Sequence, residues 1–245
     1  MGGRPTELLI VVPARGGSKR LPRKNIRVLA GRSLLAWTQE SISEAALDAP
    51  CLLSTDDEEI AAAGRELGWM VPFQRPAALA HDNAPTVPAV LHALDWFAEH
   101  HNGDPRVVMV LQVTSPFRGG ACLRRGVELL ETRSDCEAVV AVRQLPLPSD
   151  KLFRRNEDDV LVPVDAGYRG TTLYAPNGAL YVIRTAVLRK LTTLLPPRTL
   201  ALVMGDIASL DVDTDLDWSL AELVAARQVH DTSASASAVS RKVRT

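Results

Sequence analysis

A three-layer α/β/α fold with a mostly parallel, twisted sheet is the architecture this sequence predicts, and three observations predict it. Short apolar runs without in-and-out alternation recur from Leu8 to Val142, as strands buried on both faces require. Longer amphipathic stretches separate them, and strand-helix alternation of this kind sets parallel strands side by side through right-handed crossovers. The third observation is a basic loop directly after the first run, where open sheets of this class bind their ligands.

The first strand is LLIVV, Leu8 to Val12, bounded by Pro13. Ser33 caps a helix over LLAWTQESISEAAL, and CLLS at 51–54 is the next strand. TDDEEIAAAGREL opens a second helix, in which Thr55 and Glu58 have capping-box spacing and the acids sit at the positive end of the helix dipole. A helix from Thr86 to His101, a strand from Arg106 to Gln112, a helix from Gly120 to Arg133 and a strand from Glu137 to Val142 continue the alternation. The rhythm breaks over 143–176, where four prolines and several charges stand without a long apolar period. That is too long for a plain loop in a compact domain, and it reads as an inserted oligomerisation arm. GALYVI, a helix from Thr185 to Leu194, the strand LALVM and an amphipathic helix from Asp215 to Arg227 with Thr214 as its cap complete one domain over residues 1–230. Residues 231–245, poor in large apolar side chains, are expected to form a disordered tail.

Composition narrows the function. Hydrophobic residues make up 46 % and charged residues 23 % of the 245, as in an ordinary globular protein. No apolar run approaches the roughly 18 residues of a membrane span, and Met1 to Glu7 lacks the apolar segment of a secretion signal, so a cytoplasmic protein without membrane partners is expected. With 28 basic against 29 acidic residues, 4 % aromatics and no basic face interleaved with them, a nucleic-acid partner is excluded as well. Cys51, Cys122 and Cys136 are an odd number without C-x-x-C spacing; they suit buried small apolar positions, not disulfides or zinc.

Against that balanced charge, VVPARGGSKRLPRKNIRVLAGR gathers seven basic residues, and no Asp or Glu appears between Leu8 and Gln39. Gly16 and Gly17 let the backbone approach an anion closely, while Arg15, Lys19 and Lys24 can add charge-assisted hydrogen bonds. So much charge suits a triphosphate; a P-loop ATPase or kinase is disfavoured because G-x-x-x-x-G-K-[ST] does not occur. A nucleoside triphosphate normally brings Mg²⁺, held by one or two carboxylates and phosphate oxygens. SLDVDTDLDW offers them: Asp211 and Asp213 point to the same side of an extended segment, whereas Asp215 and Asp217 start the last helix.

These stretches carry a resemblance. PARGGSKRLPRKN is similar to the N-terminal nucleotide-binding signature of the acylneuraminate cytidylyltransferases, and STDDEEIA, RPAALAHDNAPT, LQVTSPFR, PNGALYVI and SLDVDTDLD follow in that family's order with similar spacing, over most of Leu9 to Leu223. The resemblance implies a Rossmann-like nucleotidyltransferase fold that transfers CMP from CTP to the anomeric hydroxyl of a nonulosonic (sialic-type) keto acid, giving CMP-sugar and pyrophosphate with Mg²⁺ as cofactor. It implies that Arg15, Gly16, Lys19 and Lys24 grip the triphosphate, that Asn25 contacts the nucleotide, and that Arg75 and the segment ending at Thr86 enclose it. Gln112, Thr114 and Ser115 would line the acceptor side, Lys151 would meet the sugar carboxylate, Asn177 belongs to the matching PNG block, and Asp211 and Asp213 would hold the metal. Arg15, Lys24, Asp211 and Asp213 are then the catalytic set; no histidine is placed as a general base, and His81 reads as a loop residue.

Two departures bear on the acceptor. The stretch from Lys151 to Pro176 is shorter than in the family, and GYRGTTLYA stands where an Arg/Gln-rich stretch is usual; Thr86 replaces a serine. In the family this arm reaches into a neighbouring subunit, which implies a homodimer through the 143–176 arm. The alternative acceptors are octulosonate, pseudaminate, legionaminate or a phosphonate, and Lys24-Asn25 in place of Lys-Pro points to the nine-carbon branch. A D-x-D glycosyltransferase is the more distant alternative, since its motif usually lies mid-chain and needs no N-terminal triphosphate loop.

Overall fold

A computed structural model describes residues 7–155, 157–164 and 170–227, with Ser149 described by its backbone alone; the expected tail over 231–245 lies outside the described residues. The apolar run that opens the chain forms β1 (Leu8–Pro13), with five successive residues buried. After the basic loop, β2 (Val28–Leu29) and β3 (Arg32–Ser33) pair across Ala30 and Gly31, both at positive φ, the two-residue turn that suits the twist of a hairpin. α1 (Leu34–Ala45) starts where expected, Ser33 Oγ accepting from Ala36 N, and β4 (Cys51–Ser54) follows. α2 (Glu58–Glu66) is capped by Asp57, whose carboxylate accepts from Ile60 N, and not by Thr55; the Thr55 hydroxyl instead accepts from Asp57 N and holds the capping residue in place.

α3 (Thr86–His100), β5 (Val107–Val110), α4 (Gly120–Thr132) and β6 (Ala138–Gln144) fall close to the expected bounds. β7 (Phe153–Arg155) and β8 (Leu161–Pro163) form a small antiparallel hairpin within the arm. β9 (Tyr174–Arg184), α5 (Thr185–Leu191), β10 (Thr199–Val203) and a last helix, α6, over 215–227 complete the described chain. α5 is shorter than expected because Thr192 adopts a left-handed conformation and its N–H closes the helix on Leu188 O.

The six-stranded sheet runs β10-β6-β9-β5-β1-β4. Every strand points the same way except β9, which is antiparallel to both β5 and β6. β9 is longer than the stretch expected from GALYVI because its first residues extend the β6 ladder past an irregularity at Val140/Val142, so the base of the arm is sheet and not loop. Successive β1 side chains feed opposite layers: Ile10 and Val12 meet Leu35, Leu123 and Trp218 of α1, α4 and α6, while Leu9 and Val11 meet Leu94, Phe97 and Leu188 of α3 and α5. Cys136 is buried, whereas Cys51 and Cys122 are half-buried at the margins of the core, a correction to the expected full burial.

Candidate active site

From β1 the chain crosses to β4 on one side and later to β5 on the other, so the carboxyl ends of β1 and β5 diverge into a crevice. A cleft of about 520 Å³ opens there. Pro13, Ala14 and Arg15 enter it from the end of β1, and Gln112, Val113 and Thr114 from the end of β5. Asp211 and Asp213 line it too, on a segment pinned to the end of β5 because Val212 N donates to Thr114 O at 2.8 Å.

The structure brings Arg15, Lys19, Lys24, Asn25, Arg75, Thr86, Gln112, Thr114, Asp211 and Asp213 to one lining. Asn25 is buried and donates through Nδ2 to Arg15 O at 2.8 Å, so it shapes the loop as well as facing the cleft. Thr86 begins α3, whose first turn carries no acid and whose N-terminal N–H groups present the positive end of a helix dipole to the cleft.

Charge is organised in two clusters, each a carboxylate with two cations, that sequence reading did not anticipate. Asp82 accepts from Arg15 Nη1 at 2.7 Å and lies 2.5 Å from Lys19 Nζ, joining the 82–86 segment to the loop. The hydrogen bond from Lys19, then that from Arg15, holds its carboxyl below the usual range. Asp213 accepts from Arg20 Nη2 and Lys24 Nζ, each at 2.5 Å. Burial alone would raise the Asp213 carboxyl, but the hydrogen bond and charge of Lys24 and the charge of Arg20 outweigh it and hold it low. Arg20 also lines the cleft and belongs with the loop cations singled out in the sequence. The partners lie 67 and 193 residues apart in the chain, beyond the reach of any local pattern.

Arg75 is buried, its Nε donating to Ser54 Oγ at 3.0 Å and its Nη2 to Ser54 O. Burial lowers its pKa to about 10, with Asp56 opposing and Arg15 adding to the shift, so the guanidinium stays charged at neutral pH. Burial likewise raises the Asp211 carboxyl, against a hydrogen bond from Thr114.

Four predicted residues stand elsewhere. Gly16 backs onto α2: its N–H donates to Asp56 Oδ1 at 3.0 Å, and a Cβ there would meet Asp57 Oδ2 at 2.6 Å, so the glycine serves close packing and not an exposed anion nest. Ser115 is fully buried beneath the lining, Asn177 is buried against Ser209, and Lys151 lies on an exposed turn of the arm.

A doubly wound sheet whose crevice faces a cation-rich loop with an acidic pair is the arrangement of a nucleotidyltransferase. The chain belongs to the cytidylyltransferase family: the model of that family, described as cytidylyltransferase, matches residues 9–143. A CMP-N,N'-diacetyllegionaminic acid synthase of Legionella pneumophila is 31 % identical over 222 residues, 88 % of this chain and 94 % of that protein. A pseudaminic acid cytidylyltransferase of Campylobacter jejuni is 28 % identical over 88 % of this chain and 95 % of its own length. The N-acylneuraminate cytidylyltransferase of Escherichia coli O18:K1:H7 is also 28 % identical over 88 % of this chain, but the match spans only 51 % of that longer protein. Among solved structures, a CMP:2-keto-3-deoxy-manno-octonic acid synthetase complexed with CTP superposes with a TM-score of 0.67 over 91 % of this chain and all of that one, at 16 % identity, which shows the shared fold. Among the described residues no helix is long and apolar enough to cross a membrane.

Proposed function

We propose that this cytidylyltransferase transfers CMP from CTP to the anomeric hydroxyl of a nonulosonic acid, releasing pyrophosphate. The observation that carries the reading is the cleft itself, where Arg15, Lys19, Arg20 and Lys24 share one lining with the Asp211/Asp213 pair around a volume suited to a nucleotide. The names of the relatives, each a synthase or cytidylyltransferase of a nonulosonic acid, support the acceptor class.

In this reading the loop cations bind the triphosphate and stabilise the charge that grows on departing pyrophosphate as the sugar hydroxyl attacks the α-phosphorus in line. Asn25 and Thr86 enclose the nucleotide, and Gln112 and Thr114 border the acceptor. Asp211 and Asp213 suit a Mg²⁺ ion: Asp211 Oδ1 is buried without a hydrogen-bond partner among the described residues, and a hard cation would satisfy it. The ion would screen the α-phosphate and acidify the attacking hydroxyl. Asp213 can serve it only by releasing Arg20 or Lys24, cations that the nucleotide's phosphates would take up.

The arm is proposed to mediate a homodimer. Leu147, Phe153, Leu161, Val164 and Tyr174 present exposed apolar surface along it, and Lys151 on the same arm would approach an acceptor only in such an assembly.

The test is pyrophosphate release from CTP and Mg²⁺ with N-acetylneuraminate, legionaminate, pseudaminate and octulosonate, with ATP, UTP and GTP as controls. Release with CTP and a nine-carbon acid is expected. Release with octulosonate alone, or with none while CTP binds, would overturn the acceptor assignment.

A further inference from the structure

Beneath the cleft lies a buried polar chain that the reaction as read above does not use. Arg118 is 1 % exposed. Its Nη1 donates to Ala179 O at 2.6 Å and its Nη2 to Thr38 Oγ1 at 2.9 Å, while Nε has no partner among the described residues. Among the described residues it makes no ion pair, although Asp211 is near enough to act on its charge. A guanidinium buried with incomplete hydrogen bonding and no carboxylate in contact among the described residues is a costly way to fill space, and a neutral side chain would pack at less expense.

What Arg118 holds is the turn at 177–179, and that turn reaches the site in two directions. Gly178 has φ +78°, and a Cβ on it would stand 2.2 Å from Gln112 Oε1, so the turn's backbone rests directly on the Gln112 side chain. Asn177 closes the turn by accepting from Ala179 N at 3.1 Å and donates through Nδ2 to Ser209 Oγ at 3.0 Å. Ser209 lies two residues before Asp211, on the segment that Val212 pins to Thr114. One buried chain thus sets both the amide that borders the acceptor and the carboxylate beside it.

We propose that Arg118 is a positioning residue for the transfer step, acting through the 177–179 turn on Gln112 and, through Asn177 and Ser209, on Asp211. This rests on the cytidylyl-transfer reading for the role of those two groups. It also gives Asn177 a different task from direct contact with the sugar: its amide is spent on Ala179 and Ser209.

The experiment compares Arg118→Met, Arg118→Lys and Ser209→Ala with the wild-type full chain. Steady-state pyrophosphate release gives kcat and KM, and water-proton relaxation gives Mn²⁺ binding without nucleotide or turnover. Arg118→Met is expected to lower kcat by about tenfold or more, as small misplacements of reacting groups do, with KM for CTP within about twofold. Arg118→Lys, which keeps the charge on a single donor nitrogen, should recover part of that loss. Ser209→Ala should weaken Mn²⁺ binding several-fold, and it carries the test if the Arg118 variants do not fold. Folded variants with a lowered Tm but wild-type kcat, KM and Mn²⁺ binding would overturn the proposal and leave Arg118 a packing residue. Wild-type enzyme that binds Mn²⁺ but releases no pyrophosphate with any acceptor would instead count against the reaction; the Ser209→Ala comparison would still decide the positioning of Asp211.

Discussion

Arg15 and Lys19 meet at Asp82, and Arg20 and Lys24 meet at Asp213, so two carboxylates hold the cations a triphosphate would need. Binding of a triphosphate at this loop, as proposed, would therefore be an exchange. Asp82→Asn should strengthen CTP binding by about threefold, the scale of one half-exposed charge contact, as isothermal calorimetry would show. The same variant gives a pH test. Lys19 and Arg15 hold the Asp82 carboxyl below its usual value, so its contribution to stability is present above the ordinary carboxylate range and disappears as pH falls through the lowered value. The Tm gap between wild type and Asp82→Asn should be constant from neutrality to mildly acidic pH and close below about pH 4. Lys24→Ala should lower turnover with CTP by about 10²-fold, as loss of a donor to developing charge does, with little change in Tm. Near-normal turnover would remove Lys24 from the phosphate site. The sequence exposed these cations because they break an otherwise balanced charge distribution, but their partners could not be read from it. Arg118 did leave a trace: it is the only charged residue between Arg106 and Arg124, in a stretch otherwise apolar or neutral.

The elements were legible where a local rule decides them. Ser33 caps α1 as its spacing predicts, and Ser33→Ala should cost about 1 kcal/mol in chemical denaturation. Thr214 and Asp217 form a reciprocal cap on α6, Thr214 N donating to Asp217 Oδ2 at 2.8 Å and Asp217 N to Thr214 Oγ1 at 3.2 Å. At α2 the capping-box spacing points to Thr55, but Asp57, two residues on, takes the cap. Nor could periodicity report direction: β9 reads as one more buried strand, and its antiparallel course follows from the arm that returns the chain alongside β6. The turn within β9 is the strictest local requirement. Gly178→Ala would place a methyl on the Gln112 amide at a left-handed φ, and should cost about 1–3 kcal/mol while lowering activity more than stability.

At the scale of the whole molecule, the arm's apolar residues make a prediction independent of catalysis. Sedimentation at micromolar concentration should show a dimer, and Phe153→Asp with Leu161→Asp should shift it to monomer without unfolding the sheet, because both side chains are exposed in the single chain. The order of strands has a further consequence, for the birth of the protein. Among the described strands β9 alone joins β5 to β6, so β6 stays apart from β5, β1 and β4 until the ribosome has added residues 174–184. Until then the nascent chain carries the open edge of β5 and a β6 that lacks β10 as well as β9, the apolar surfaces on which unfinished polypeptides stick to one another. A stop codon placed between residues 144 and 174 would therefore yield not a smaller domain but an aggregate, and chaperone dependence during translation should end as β9 clears the exit tunnel.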